Sequence, residues 1–128
     1  MLNKFIEKNK DYFYFVFRIL IGLLFLLHGI QKMPGILNGS TSVFGLIGMA
    51  GIIETVAGIL IIIGLFVRYA AFITAIEMIV AYFKVHFPMG MNPLLNKGEP
   101  AVLFFVAFLV LIAFGARKWA LDNLFKKR

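Results

Sequence analysis

The chain has 128 residues, of which 62% are hydrophobic and 15% charged, with a formal net charge of +7 and no cysteine. Soluble domains are about 45–50% apolar and about 25% charged, and a short soluble chain has too much surface to hide so many large apolar side chains. The composition therefore favours an integral membrane protein. The lack of cysteine excludes disulfides, iron–sulfur ligation and zinc–thiolate sites in this chain.

Four apolar segments are predicted to be transmembrane helices, because a spanning helix needs about 20 mainly apolar residues. They cover residues 12–30, 48–67, 69–85 and 100–116. Met33-Pro34-Gly35 is predicted to end the first helix, since proline interrupts a helix and glycine permits a turn. Arg68 and Tyr69 are predicted to form the turn between the second and third. The pattern predicts one domain over residues 1–128, an all-α membrane protein with four transmembrane helices in an antiparallel bundle.

Lysine and arginine are distributed unevenly between the two sides of this topology. The side with both termini and the turn between helices 2 and 3 carries ten of them: Lys4, Lys8, Lys10, Arg18, Arg68, Arg117, Lys118, Lys126, Lys127 and Arg128. The opposite side carries three, which are Lys32, Lys84 and Lys97. Because cytoplasmic loops carry the excess of basic residues, both termini are predicted to be cytoplasmic. No base-stacking or basic amphipathic module is visible, so we expect no nucleic-acid partner.

Polar side chains gather near the non-cytoplasmic ends of the predicted helices. Ionisable groups within a membrane cost roughly 2.5–3.5 kcal/mol each, so they tend to face the protein interior and mark function. We therefore predict a ligand pocket formed by His28, Gln31, Lys32, Glu54, His86 and Glu99. Ordinary alternatives exist: Lys32 can extend to the headgroups, and Glu99 can complement a helix dipole. Glu54 lies within an apolar run and needs a partner.

Two further charges lie deeper in the predicted helices. Arg18 is about six residues into the first helix and Glu77 about eight residues into the third, both counted from the cytoplasmic side. At 1.5 Å per residue their depths differ by only ~3 Å. We therefore predict a buried Arg18–Glu77 ion pair, whose role could be purely structural.

The order of these residues resembles that of the DoxX family of small four-helix membrane proteins. The matching positions run through nearly the whole chain: Arg18, Gly22, Phe25, His28, Gly29, Gln31, Lys32, Glu54, Gly58, Gly64, Leu65, Arg68, His86, Pro88, Gly90, Asn96, Glu99, Gly115, Leu121 and Asp122. Two features depart from the pattern. The glycine-rich turn after the fourth helix is here Gly115-Ala116, and Glu77 is not a position of the family pattern.

The resemblance implies a four-helix bundle in a bacterial-type inner (plasma) membrane. Similar proteins have been connected with quinone-linked membrane oxidoreductases, with thiosulfate or quinol oxidation, and with resistance to oxidative or thiol stress. The first hypothesis is thus an accessory subunit of a quinone- or redox-linked system, with quinone as the possible cofactor and a membrane oxidoreductase subunit or a second copy as partner. The alternatives are a non-catalytic assembly or ligand-binding membrane protein and a small transporter.

The sequence contains no recognisable catalytic constellation. It has no nucleophile elbow, phosphate-binding glycine loop or HExxH motif, so we expect no catalytic residues and no activity by the chain alone. No metal-ligand set with helical spacing is evident. His28 and His86 could in principle be axial haem ligands from two helices, although histidines near a membrane surface are more often unmetallated.

Overall fold

A computed structural model of the protein describes residues 1–125, which form four α-helices and no strand. The helices are α1 (Leu2–Leu37), α2 (Leu46–Ile63), α3 (Val67–Ala81) and α4 (Glu99–Phe114). A π-helical turn (Tyr82–His86) and a 3₁₀ turn (Phe87–Met89) continue α3, and a second 3₁₀ turn covers Leu121–Leu124. Three of the basic residues counted for topology lie outside the described part, namely Lys126, Lys127 and Arg128.

Three predicted helix boundaries differ from the structure. The first helix begins at Leu2, ten residues before the predicted start at residue 12. Pro34 lies inside α1, which continues to Leu37. A proline costs the helix one hydrogen bond because it has no N–H group, but its carbonyl still accepts the N–H of Asn38, so the helix continues beyond it and ends at Leu37. The turn between α2 and α3 also comes earlier than predicted. Gly64, with φ of 77°, ends α2, and Arg68 belongs to α3.

Three of the helices are long and apolar enough to cross a membrane: Leu2–Leu37, Leu46–Ile63 and Val67–Met89. The helix α1 has 36 residues, so it is about 54 Å long and exceeds the ~30 Å hydrocarbon core of a bilayer. By contrast, α4 has 16 residues and falls short of the ~20 that a spanning helix needs. The structure thus shows four helices, of which three have the length of membrane spans.

Small residues set the close contact between α1 and α2. A Cβ atom added at Gly58 would lie 2.8 Å from the backbone of Leu26, and one added at Gly29 would lie 2.5 Å from the backbone nitrogen of Thr55. Further along α1, Lys32 lies beside Gly51. Successive positions up α1 therefore meet successive positions down α2. Small residues allow such approach where lipid provides no hydrophobic drive between helices.

The connections between the helices lie at two opposite ends of the structure, which we call the turn end and the loop end. The turn end contains the turn at Gly64–Phe66 and the segment after α4. The loop end contains residues 38–45 and residues 90–98. Between them the core is filled by buried side chains from all four helices, and its fully buried members are Phe25, Ile61, Val67, Ala71, Phe108 and Leu111.

Asp122 fastens the segment after α4 to the turn end. Its carboxylate accepts the backbone N–H groups of Phe66 at 2.7 Å and Val67 at 3.2 Å, and its own N–H donates to the carbonyl of Gly64 at 2.8 Å. The first N–H groups of a helix lack partners within the helix. Asp122 thus caps α3 from a distant part of the sequence.

Replacing Asp122 with alanine is expected to lower the free energy of unfolding by about 1 kcal/mol, within the 0.5–2 kcal/mol range of lost helix caps. Thermal unfolding in detergent measures the change. Asp122→Asn keeps an acceptor oxygen and is expected to restore most of the loss. Equal stability of the alanine variant and the wild type would show that water replaces the cap without cost.

Candidate functional site

An ion pair joins α1 and α2 near the loop end. The ammonium group of Lys32 lies 2.6 Å from Oε1 of Glu54, whose residue is 5% exposed. Glycine at position 51 leaves space for the lysine stem, since a Cβ there would lie 2.9 Å from Cβ of Lys32. Lys32 is therefore the partner that Glu54 needs, because a charged group in an apolar helix is costly unless it is paired.

Glu77 of α3 lies beside this pair. Both of its carboxyl oxygens are buried and accept no hydrogen bond within residues 1–125, and the ionisable groups next to it are Glu54 and Lys32. Two carboxylates and one ammonium would carry a net negative charge, which is costly within a membrane. A single proton shared by the two carboxyl groups would neutralise the three side chains of Lys32, Glu54 and Glu77 together.

A cavity of about 270 Å³ opens beside the cluster. Its walls come from all four helices, the π-helical turn and the loop before α4. The lining residues are Phe25, His28, Lys32, Glu54, Met78, Ala81, His86, Lys97, Pro100, Ala101 and Phe104. Hydrogen-bonding and charged groups thus share one small space with aromatic and aliphatic walls, which is the usual composition of a small-molecule site.

The two histidines that line the cavity are each held by a backbone carbonyl. His28 lies on α1, with Nδ1 3.0 Å from the carbonyl of Leu24 and its ring edge-to-face with Phe104 at 5.4 Å. His86 ends the π-helical turn, with Nδ1 3.1 Å from the carbonyl of Asn96. The wider π turn changes which way the following residues face, and such turns are frequent at functional sites.

Asn96 organises the loop that carries Lys97 into the cavity lining. It is 1% exposed, and its side-chain nitrogen donates to the carbonyl of Gly90 at 2.8 Å and to the hydroxyl of Tyr82 at 3.2 Å. Its side-chain oxygen accepts the N–H of Gly98 at 2.8 Å. A buried amide with all these partners fixes the loop against the end of α3.

The cavity includes four of the six residues predicted for the pocket. His28, Lys32, Glu54 and His86 line it, whereas Gln31 and Glu99 are exposed and do not. Lys97 lines it without having been predicted. Among residues 1–125, no group of three or more His, Asp or Glu side chains is placed to hold a metal ion.

Glu77 could have been grouped with Glu54 from the sequence. Glu54 lies ten residues before Gly64 and Glu77 lies eleven residues after Phe66, so the two are almost equally far from the turn at Gly64–Phe66. In a hairpin of two helices, equal distance from the turn means equal depth. Depth along α1 alone does not distinguish the two acidic residues, because it takes no account of which helix faces which.

The predicted ion pair between Arg18 and Glu77 is wrong. Arg18 is 0% exposed and lies at the turn end, where its guanidinium donates only to backbone carbonyls. Nε donates to Ile61 at 3.0 Å, and the two terminal nitrogens donate to four more carbonyls, those of Ile62, Ala116, Lys118 and Trp119 at 2.6–3.2 Å. All five N–H groups of a guanidinium are thereby used, which leaves none for a carboxylate.

Arg18 therefore ties three parts of the chain together. The carbonyls of Ile61 and Ile62 belong to the last turn of α2, where unpaired carbonyls and the helix dipole favour a cation. The other three belong to the segment after α4. All five contacts are with backbone carbonyls at the turn end, so Arg18 is a structural group.

Comparison with known proteins identifies relatives of the chain. The model of the DoxX family matches residues 13–87, more than half of the chain. A Haemophilus influenzae protein described as uncharacterized is 40% identical over 131 residues, covering 96% of this chain and 98% of its own length. A Bacillus subtilis protein named "Putative oxidoreductase CatD" is 29% identical over 112 residues, covering 82% and 81%. No solved structure matches the chain.

Proposed function

We propose that this chain, which belongs to the DoxX family, is an accessory subunit of a quinone- or redox-linked membrane system and binds a quinone head group in the loop-end cavity. We further propose that the four helices form an antiparallel bundle in a bacterial inner membrane, with both termini cytoplasmic and the cavity on the opposite side. The excess of basic residues at the turn end supports this orientation.

The observation that carries the proposal is the composition of the cavity. A quinone head is a flat apolar ring whose oxygens accept hydrogen bonds, and a quinol donates them. The rings of Phe25 and Phe104 supply apolar walls, and Lys32 supplies a donor for a quinone oxygen. Because Nδ1 of His86 donates to the carbonyl of Asn96, its Nε2 is the acceptor for a quinol hydroxyl. At about 270 Å³ the cavity lies just below the ~300–1,000 Å³ of drug-sized ligands, so it suits a head group whose tail lies along the lipid.

The neighbouring carboxyl groups of Glu54 and Glu77 give the cavity a means of exchanging protons. Quinone reduction takes up protons together with electrons. Glu54 is held by the ammonium of Lys32, whereas Glu77 has no donor among the described residues. We therefore assign the exchangeable proton to the Glu54–Glu77 pair, with Glu77 as the group that gains or loses it.

We propose that a partner protein supplies the electrons for quinone reduction. The chain has no cysteine, so it cannot form a thiol couple or an iron–sulfur site with its own cysteines. The relationship to a Bacillus subtilis protein named as an oxidoreductase supports a redox context. We propose a membrane oxidoreductase subunit as the partner, and copurification of such a subunit from gently solubilised membranes tests this part of the proposal.

A soluble quinone analogue is expected to bind the purified protein saturably in detergent, as measured by isothermal titration calorimetry. Glu54→Gln removes the carboxylate that positions the Lys32 ammonium, and loss of a hydrogen bond to that charged group corresponds to about 1.5–3 kcal/mol, so binding is expected to weaken on the order of tenfold or more. His86→Ala removes a hydrogen bond of about 0.5–1.5 kcal/mol and is expected to weaken binding about twofold to tenfold. Glu77→Gln leaves the Lys32–Glu54 pair in place and is expected to retain binding.

Two residues at the same end serve as matched controls. Gln31 and Glu99 are exposed and do not line the cavity, so Gln31→Ala and Glu99→Gln are expected to bind the analogue as the wild type does. If Glu54→Gln and His86→Ala also bind unchanged while remaining folded, the cavity is not the quinone site.

A further inference from the structure

A second cavity, of about 810 Å³, lies at the turn end, on the opposite side of the molecule from the first. It is formed by the start of α3, the end of α4 and the segment that follows. Its lining residues are Asp11, Phe66, Val67, Arg68, Tyr69, Phe114, Gly115, Ala116, Arg117, Lys118, Asp122, Asn123 and Phe125. We propose that this cavity binds the phosphate headgroup of an anionic phospholipid.

The charges of the cavity favour an anion. It is lined by three cations, Arg68, Arg117 and Lys118, and by two carboxylates. Asp122 is already held by backbone N–H groups of the α2–α3 turn. Asp11 lies 3.4 Å from the guanidinium of Arg117 and 3.3 Å from the ammonium of Lys118. The lining therefore has one more cation than carboxylate.

Arg68 is the cation that remains without a carboxylate among residues 1–125. Its one described hydrogen bond is from a terminal guanidinium nitrogen to the carbonyl of Ala113 at 3.1 Å. Glycine at position 115 makes room for it, since a Cβ there would lie 3.0 Å from Nε of Arg68. A guanidinium with free N–H groups facing a cavity matches the oxygens of a phosphate, which it can bind in pairs.

The surroundings indicate a lipid rather than a soluble phosphate. The ring of Trp119 stacks on Tyr12 at 5.0 Å beside the basic residues, and tryptophan and tyrosine concentrate at the level of the lipid headgroups. Phe66, Phe114 and Phe125 add apolar surface to the lining, which suits the glycerol and upper acyl chains. Basic pockets beside transmembrane helices recognise anionic headgroups in this way.

The test is native mass spectrometry of the purified protein in detergent, titrated with phosphatidylglycerol or with phosphatidylcholine. The wild type is expected to retain phosphatidylglycerol in preference. One cation near a membrane surface corresponds to roughly a fivefold change in binding, so Arg68→Gln is expected to weaken it about fivefold and Arg68→Glu about twenty-five-fold. Arg68 is exposed, so both variants are expected to unfold at the wild-type temperature without lipid.

Lys8→Gln and Lys8→Glu are the matched controls, because Lys8 is an exposed cation of α1 that does not line the cavity. If the Lys8 and Arg68 variants weaken phosphatidylglycerol binding equally, the binding reflects general charge attraction and the proposed site is wrong. Inorganic phosphate provides the other arm. If phosphate alone raises the unfolding temperature as much as phosphatidylglycerol does, the lipid assignment is wrong.

Discussion

Replacing Arg18 with glutamine is expected to lower the free energy of unfolding by at least about 3–5 kcal/mol, the largest effect among the single substitutions that we consider. The variant loses a buried charged group that satisfies five backbone carbonyls. Removing one partner of a buried charged network leaves polar groups without hydrogen bonds, and each unsatisfied buried group costs about 1–3 kcal/mol. Thermal unfolding and size-exclusion chromatography in detergent measure the result.

The expected structural damage is local to the turn end. The carbonyls of Ala116, Lys118 and Trp119 lose their donor, so the segment after α4 is expected to detach from α2. Limited digestion with trypsin measures the detachment directly, as faster cleavage after Lys118 in the variant than in the wild type.

Two variants separate this explanation from a general effect of charge. Arg18→Lys keeps the charge but offers three N–H donors instead of five, so it is expected to recover only part of the stability. Arg68→Gln removes an exposed arginine from the same end and is expected to change the unfolding free energy by no more than about 0.5 kcal/mol. Wild-type stability of Arg18→Gln would mean that water readily replaces the guanidinium.

Replacing Gly29 with valine is expected to force α1 and α2 apart. A Cβ at this position would lie 2.5 Å from the backbone nitrogen of Thr55 and 2.9 Å from the carbonyl carbon of Glu54, and backbone atoms cannot move aside as a flexible side chain can. Overpacking of this kind costs about 1–3 kcal/mol and more where no side chain can yield. We expect the upper end of that range, measured by unfolding in detergent.

The same change is expected to disturb the loop-end cavity. Lys32 lies one turn beyond Gly29 on α1, so a wider gap between the helices separates its ammonium from Glu54. Quinone-analogue binding should therefore fall along with stability. Gly45→Ala is the control, because Gly45 has φ of −80° and a Cβ there would have no neighbour closer than 3.5 Å. Unimpaired packing in Gly29→Val would contradict the assigned helix contact.

Composition and apolar segments were sufficient to predict the helical architecture. Each predicted helix overlaps an observed one, because long apolar runs can satisfy their backbone only as helices within lipid. The ends were harder to predict, since they depend on single hydrogen bonds. Pro34 is tolerated near the end of α1, and the position of the α2–α3 turn depends on Gly64 together with Asp122, a residue far away in the sequence.

The candidate site was partly predictable for the same reason. Glu54 had to find a partner because it lies in an apolar run, and Lys32 was among the side chains grouped with it. The partner of Arg18 was not predictable from charge, because its acceptors are carbonyl groups that every residue carries. The role of Asn96 depends on a loop whose path the sequence pattern does not specify.

The contacts of Arg18 have a consequence for how the chain is made. Helix α1 is synthesised before the other three helices, yet three of the five acceptors of Arg18 lie at positions 116–119, after α4. Until those residues are synthesised, the guanidinium of Arg18 can donate only to the two carbonyls of α2, those of Ile61 and Ile62. Final closure of the fold is thus delayed until the segment after α4 has been synthesised, and a ribosome stalled before Ala116 would leave Arg18 without three of its five acceptors.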